Sequence, residues 1–142
     1  MMRTIVYLMF MALLLPSAVL AEEHVDMAGE VEKTYAVPGE DGVQRAEMTG
    51  GDYYYKPKWL VLKVGVPVEL TVKKEPGFVP HNIVMDSPEA GMVFEVDFGK
   101  EGEVIRFTPS KKGTYLFYCD KKLLFFKSHR ERGMEGVIEV VE

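Results

Sequence analysis

The sequence predicts an all-β protein built as a sandwich of two sheets. Short segments that are apolar, or that alternate between apolar and polar residues, recur along the chain, and turns containing glycine or proline separate them. No long segment has the helical spacing of apolar residues. The chain has 142 residues, which fits a single domain. Together these observations indicate a β-sandwich.

The first 21 residues have the features of a secretory signal peptide. Arg3 gives a basic start, Ile5–Leu15 is mainly apolar, and small residues precede an expected cleavage after Ala21. An uncleaved membrane anchor is the alternative, but the apolar stretch is short for a bilayer span of about 20 residues. We therefore expect a periplasmic or otherwise exported protein with no membrane span after cleavage.

Residues 22–45 form an acidic N-terminal segment with little apolar periodicity. It contains at most a first strand, near Val31–Val37. The folded domain is expected over residues 46–142. The whole chain carries a formal net charge of −5, which argues against nucleic-acid binding because that function favours a basic surface.

Six strands follow this segment, and each is predicted from its own residue pattern. The first is a short apolar run, the second alternates apolar and polar residues, and the third is rich in β-branched residues. The fourth and fifth lie on either side of a turn at Pro109–Gly113, and the sixth closes the sequence. The predicted strands are Leu60–Val64, Val68–Lys73, His81–Met85, Val104–Thr108, Thr114–Cys119 and Val137–Val141.

The fifth strand has two distinct faces. Tyr115, Phe117 and Cys119 share one face, because side chains alternate along a strand. The segment after it, Asp120–Arg132, does not alternate cleanly and is expected to be an irregular loop or a single helical turn.

Cys119 is the only cysteine of a chain that we expect to be exported. A lone thiol in an oxidising compartment suggests an intermolecular bridge, a reactive group or a thiolate held by a metal. His129 and Met134 follow it in the chain, and His81 lies upstream. One thiolate, two imidazoles and one thioether are the donor set of a mononuclear blue-copper site, which suits both Cu(I) and Cu(II). We expect one copper ion per chain; the alternative is that these residues only pack in the core.

With these residues the sequence resembles the cupredoxin family of plastocyanin-, azurin- and rusticyanin-like copper proteins. The resemblance covers roughly residues 53–141. It implies a Greek-key β-sandwich of the cupredoxin type. The matching motifs are Tyr55-Lys56-Pro57, the turn and strand Gly65–Leu70, Pro80-His81-Asn82, the strand Gly113–Cys119, and His129 with Gly133-Met134.

The resemblance also implies roles for individual residues. His81, Cys119 and His129 would be the equatorial copper ligands and Met134 the axial ligand. Asn82 would tie the two ligand loops together, with the backbone or side chain of Asp120 as its partner.

The segment between Cys119 and His129 is longer than in familiar members of the family. Nine residues, Asp120–Ser128, lie between them. The extra length costs little closure entropy but constrains His129 less. In this family the edge of the second histidine usually emerges through an apolar patch that passes electrons to partners. The loop would enlarge that patch and attract an acidic partner; capping of the core is the alternative for its apolar part. The residues concerned are Leu123, Leu124, Phe125 and Phe126, with Lys121, Lys122 and Lys127.

These features indicate a monomeric one-electron carrier rather than an enzyme. Its expected partner is a redox protein such as a cytochrome or a membrane oxidoreductase. A module that stores, delivers or senses copper with the same ligands is the alternative. An enzyme with an open copper position is a third possibility, because of the long loop.

Overall fold

The computed structural model describes residues 31–142, which contain eleven strands and two short 3₁₀ turns joined by loops. The predicted signal peptide and the beginning of the acidic segment lie outside the described residues. The 3₁₀ turns cover Pro88–Ala90 and Arg130–Arg132. The strands are β1 (Lys33–Tyr35), β2 (Val37–Pro38), β3 (Gln44–Gly51), β4 (Tyr54–Lys56), β5 (Trp59–Lys63), β6 (Val68–Lys74), β7 (His81–Ser87), β8 (Met92–Phe98), β9 (Glu103–Phe107), β10 (Gly113–Tyr118) and β11 (Glu135–Val141).

The strands form two mixed sheets. One sheet has the order β1-β5-β11-β10-β7-β8, and the other has the order β2-β3-β6-β9 with β4 paired to β3. Most neighbouring strands are antiparallel, but β5 runs parallel to β1 and β11, and β3 runs parallel to β6. Within residues 31–142 no helix is both long enough and apolar enough to cross a membrane.

The core lies between the two sheets, because alternate residues of their strands point inward. Val68, Leu70 and Val72 of β6 are buried from one sheet, and Phe117 and Ile138 are buried from the other. The alternation predicted for β10 is confirmed: Phe117 has no exposed surface, whereas its neighbour Leu116 is 52% exposed. Each strand therefore contributes one apolar face to a shared core.

All six strands predicted after the N-terminal segment are present, with ends that differ by one or two residues. The structure also contains strands that the sequence reading did not find, namely β3, β4 and β8. The first predicted strand is divided into β1 and β2, and β3 begins at Gln44, within the acidic segment. Gln44 is fully buried, and its side-chain amide donates to the carbonyls of Lys63 and Val66 at 2.8 and 3.0 Å.

The pairing of β7 with β10 decides where the predicted ligands lie. The strands are antiparallel, with Tyr118 opposite Val84. The beginning of β7 therefore lies beside the end of β10, and this brings His81 close to Cys119. On the other side of β10, Tyr118 is opposite Glu135 of β11. The same register thus brings the start of β11 to this end of the sheet.

Replacing Phe117 with alanine should strongly destabilise the protein. The Phe117 ring is fully buried and lies edge-on to Tyr55, with ring centroids 5.0 Å apart. We expect the free energy of unfolding to fall by about 3–5 kcal/mol, because the change leaves a cavity in the core. Urea denaturation measures it. The matched control is Leu116→Ala on the opposite face, which should cost less than about 1 kcal/mol; equal losses would contradict the assignment of faces.

Candidate metal centre

Three buried donor groups meet at one end of the sandwich. His81 begins β7, Cys119 directly follows β10, and His129 immediately precedes the second 3₁₀ turn. Nδ1 of His129 lies 3.3 Å from Sγ of Cys119 and 3.2 Å from Nδ1 of His81. The three donor atoms lie within 4.8 Å of one another. The structure therefore brings together the three residues that the sequence predicted as equatorial ligands.

The donor cluster fits a single metal ion of the copper type. Donor atoms at these separations can share one ion at the metal–ligand distances of about 2.0–2.3 Å that are typical of nitrogen and sulfur donors. Cys119 has no exposed surface, and the two histidines are 3% exposed. The donors are one thiolate and two imidazoles, with no carboxylate among them. Soft sulfur combined with imidazole favours copper over the hard cations Mg²⁺ and Ca²⁺.

Burial favours the neutral forms of all three groups in the metal-free protein. It raises the pKa of the Cys119 thiol. It also lowers the pKa of His129, with a further contribution from the positive charge of Arg132. Burial, followed by the effects of His129 and Lys74, lowers the pKa of His81 to about 4. The imidazoles are thus ready to act as ligands, and metal binding must displace the thiol proton.

Asn82 joins the two segments that carry His81 and Cys119. Its side-chain amide donates to Oδ1 of Asp120 at 2.7 Å, and its side-chain oxygen accepts from the backbone N–H of Asp120 at 3.1 Å. The predicted hydrogen bonding to Asp120 is therefore present through both its side chain and its backbone. The backbone N–H of Asn82 also points to Sγ of Cys119 at 3.5 Å. A further hydrogen bond of 2.5 Å runs from the Tyr55 hydroxyl to the Asn82 carbonyl.

His129 is anchored at the base of the long loop, although the sequence suggested that the loop would constrain it less. Its backbone N–H donates to the Lys121 carbonyl at 2.8 Å, and its own carbonyl accepts from the N–H of Met134 at 3.0 Å. The first hydrogen bond closes the loop at its base, so residues 122–128 project beyond the site. His129 is therefore anchored on both sides by backbone hydrogen bonds to residues outside the projecting part.

A reciprocal pair of hydrogen bonds fixes the turn that follows His129. The Ser128 hydroxyl accepts from the N–H of Glu131 at 3.2 Å, and the Glu131 carboxylate accepts from the N–H of Ser128 at 2.7 Å. This is a capping box, and the spacing Ser-x-x-Glu is visible in the sequence. The sequence reading missed both residues, although this signal could have found them.

Aromatic rings hold the two imidazoles in place. Phe98 stacks on His81, with centroids 6.2 Å apart, and Tyr53 meets His129 edge-on at 5.0 Å. The guanidinium of Arg132 lies 4.6 Å from the centre of the Tyr53 ring. The sequence analysis did not single out Tyr53 or Phe98. No local pattern identifies them, because both reach the site through tertiary packing.

Met134 is fully buried beside the cluster. Its carbonyl accepts from the N–H of Cys119 at 3.0 Å, so its backbone is joined directly to Cys119 as well as to His129. Its side chain approaches Gly50, where an added Cβ would lie 3.5 Å from the Met134 methyl carbon and 2.6 Å from the Phe98 ring. Gly50 therefore leaves room for both side chains.

The residues predicted to dock a partner lie on the loop between Asp120 and Ser128. The four apolar residues, Leu123–Phe126, are all exposed. Lys122 and Lys127 are exposed as well, whereas Lys121 forms an ion pair of 2.6 Å with Asp97. A surface pocket of about 200 Å³ adjoins the loop. Its lining residues are Tyr53, Leu123, Phe126, Lys127, His129 and Arg132.

The chain is similar in sequence and fold to several known proteins, although no family model matches it. Plastocyanin A/B of Petroselinum crispum is 34% identical over 97 residues, which cover 63% of this chain and 90% of that protein. The metal binding domain of the Cu(I)-exporting P-type ATPase CopA from Streptococcus pneumoniae D39, solved with Cu(I), is 25% identical. That match covers 80% of this chain and all of the domain, with a TM-score of 0.61. Reduced auracyanin from Roseiflexus castenholzii shares the fold, with 20% identity, a TM-score of 0.54, and coverage of 73% of this chain and all of auracyanin.

The metal-free protein should lose stability as the pH falls from about 6.5 to about 4. In this window the unfolded chain protonates His81, whose ordinary pKa is about 6.5, while the folded protein resists protonation because the pKa of His81 is lowered to about 4. The free energy of unfolding should therefore decrease on acidification, as measured by urea denaturation at several pH values. The control is His81→Gln, which should show a shallower decrease. An identical pH dependence in the two proteins would contradict the role of His81.

Proposed function

The chain belongs to the cupredoxin family, and on that premise we propose that it is an exported one-electron carrier that passes electrons between redox partners. The predicted fold class, an all-β Greek-key sandwich of the cupredoxin type, is confirmed by the two-sheet structure and its neighbours. Copper as the cofactor is likewise confirmed, by the family and by the buried cluster of His81, Cys119 and His129. The proposal extends this to a specific ligand set and a route for the electron.

The observation that carries the proposal is the buried His81–Cys119–His129 cluster. We assign these three residues as the equatorial ligands and Met134 as the axial ligand. Copper, when bound there, supplies the one-electron chemistry. The protein residues hold the donors in one arrangement: Asn82 and Asp120 join the ligand segments, and Phe98 and Tyr53 restrict the two imidazole rings. Such a rigid, buried site would need little rearrangement when the oxidation state changes.

His129 is the proposed exit for the electron, because it lines a surface pocket. Around it, Leu123 and Phe126 present apolar surface and Lys127 and Arg132 present positive charge. Of the predicted docking residues, we assign Leu123 and Phe126 with the exposed Lys122 and Lys127 as the docking site for an acidic redox protein, such as a cytochrome or a membrane oxidoreductase; Leu124 and Phe125 lie outside the pocket. Lys121 contributes less positive charge than Lys122 and Lys127, because it is paired with Asp97.

The proposed carrier is monomeric, works in the periplasm or another exported location, and catalyses no reaction of its own. Export is supported by the signal-peptide pattern of the first 21 residues. The donor cluster of the described residues combines one thiol with two imidazoles, the sulfur and nitrogen donors that suit one-electron copper chemistry.

Adding Cu(II) to the purified protein should produce an intense thiolate-to-copper charge-transfer band and an EPR spectrum with narrow hyperfine splitting. Both signals arise when a thiolate binds copper in a site of this kind. His129→Ala should change both spectra and weaken copper binding by about tenfold or more. The control is His24→Ala, outside the described residues, which should leave both unchanged. A colourless protein that binds copper weakly would refute the ligand assignment.

The copper-loaded protein also serves to distinguish the proposed electron carrier from a copper-delivery module and from an enzyme. Reversible reduction and oxidation without loss of metal supports an electron carrier. Rapid transfer of copper to a metal-free acceptor would instead identify a copper-delivery module. Turnover with an exchangeable ligand on copper would identify an enzyme.

Reversing the charges of the exposed loop lysines should slow electron transfer to an acidic cytochrome. For the variant Lys122→Glu, Lys127→Glu we expect the second-order rate constant to fall by about tenfold at low ionic strength, and by less at high salt, because electrostatic steering is screened. Stopped-flow mixing measures it. The control is Lys111→Glu, Lys112→Glu, which makes the same charge change at the turn before β10, away from the metal centre. Equal rates in the two variants would exclude the loop as the docking site.

A further inference from the structure

The long loop ends in a turn whose two central residues are largely exposed, although the Phe125 ring packs against the ring of Phe126, with centroids 5.2 Å apart. The N–H of Phe126 donates to the carbonyl of Leu123 at 3.0 Å, which closes a β-turn. Leu124 and Phe125 occupy its two central positions and are 74% and 85% exposed. Leu124 adopts a positive φ of 50°, a conformation that is unfavourable for a leucine. The backbone therefore holds two large apolar side chains outward.

The side chains of this turn lie in two different surroundings. Leu123 and Phe126 line the pocket over His129, whereas Leu124 and Phe125 do not. We call the pair Leu124–Phe125 the apolar tip. Because the tip lies outside the pocket that reaches His129, its exposure is not explained by the proposed electron route.

A second exposed apolar side chain lies at the same end of the molecule. Phe78 is fully exposed in the loop between β6 and β7, three residues before His81. His81 and His129 lie side by side, so the loops that carry Phe78 and the apolar tip both leave the sandwich at its metal-site end. The loop that carries Phe78 also contains the acidic Glu75. The loop that carries the apolar tip is more basic, so it is the stronger candidate for contact with an anionic surface.

Positive charge surrounds the apolar tip. Residues 119–134 contain five basic and two acidic side chains, a formal charge of +3, although the whole chain carries −5. The remainder of the chain therefore carries −8. Asp120 and Glu131 hydrogen-bond to Asn82 and Ser128, and two of the basic side chains, Lys121 and Arg130, form ion pairs with Asp97 and Glu135. The basic residues are Lys121, Lys122, Lys127, Arg130 and Arg132.

From these observations we propose that the apolar tip inserts into the surface of an anionic lipid bilayer while the neighbouring basic residues contact the lipid headgroups. Adjacent large apolar side chains flanked by lysine and arginine are the arrangement by which peripheral proteins bind membranes. A protein interface more often combines a broad apolar patch with pockets for anchoring residues. A protruding two-residue tip, with a second apolar side chain on a separate loop, fits a deformable lipid surface better.

The charge distribution would also orient the bound protein. An anionic membrane attracts the +3 segment and repels the remainder of the chain, so the metal-site end would face the bilayer. His129 would then lie near the membrane surface, within reach of a membrane oxidoreductase. Only this consequence rests on the proposed function, since the lipid interaction itself needs no electron transfer.

The test is co-sedimentation of the processed, copper-loaded protein with vesicles at low salt. The protein should bind vesicles of phosphatidylcholine mixed with phosphatidylglycerol, and bind vesicles of phosphatidylcholine alone much more weakly. The variant Leu124→Ser, Phe125→Ser should lower the partition coefficient by about tenfold or more, because it removes the apolar contribution. The matched control is Tyr35→Ser, Val93→Ser, which removes two similarly exposed apolar side chains from β1 and β8 and should bind like the wild type.

A fluorescence measurement tests insertion directly. In Phe125→Trp, the emission of the introduced tryptophan should shift to shorter wavelength on anionic vesicles and be quenched by brominated phosphatidylcholine. The native Trp59 gives the baseline, since it lies in β5 and donates to the Glu139 carboxylate at 2.8 Å. Emission from the introduced tryptophan that stays unquenched on these vesicles would overturn the proposal.

Two further outcomes would also overturn it. One is the absence of binding to anionic vesicles at low salt by a protein whose copper spectrum is intact. The other is unchanged vesicle binding by Leu124→Ser, Phe125→Ser together with slower electron transfer to a soluble cytochrome, which would show that the tip docks a protein. A missing copper spectrum in the wild type would instead refute the proposed function, so the two failures are distinguishable.

Discussion

The hydrogen bonds between Asn82 and Asp120 are the contact on which the geometry of the metal centre depends. They join the start of β7 to the segment after β10, and these two segments carry His81 and Cys119. The strand register already places the segments side by side, but a register alone leaves the loop ends free to fray. Tying Asn82 to Asp120 fixes both ends, and the N–H of Asn82 can then point at the sulfur of Cys119. The sheet thus brings the two ligand-carrying segments together, and the hydrogen bonds of Asn82 fix their relative position.

The long loop shows that sequence separation and structural constraint are different quantities. His129 is ten residues from Cys119, yet its backbone is bonded to Lys121 at one side and to Met134 at the other. Closing a longer loop costs little additional entropy, and the closure lies at the loop's base rather than at its tip. Both backbone partners of His129 therefore lie outside the projecting residues 122–128.

The sequence was most informative where a residue's role is determined by its chemistry or by a short repeat. The lone cysteine and the histidines led to the three donor residues that the structure brings together, and the alternation in β6 and β10 led to two of the core strands. β8 was missed although Phe94, Val96 and Phe98 alternate with Glu95 and Asp97, a local pattern that could have identified it. Tyr53 and Phe98 were missed because they reach the imidazoles only through the packing of separate strands. The capping box of Ser128 and Glu131 could have been read from the sequence, since its signal is local.

The two histidines have similar burial but different surroundings. This difference distinguishes an inner side of the site, at His81, from an outer side, at His129. His81 stacks on Phe98, a buried core residue, so its ring faces the interior. His129 meets Tyr53 edge-on and lines a surface pocket, although its side chain is as little exposed as that of His81. Burial of the donors favours stable metal binding, whereas transfer of an electron requires a short path to a partner. Under the proposed function, a histidine at this boundary would meet both requirements, because the same imidazole would serve as the ligand and as the path of the electron.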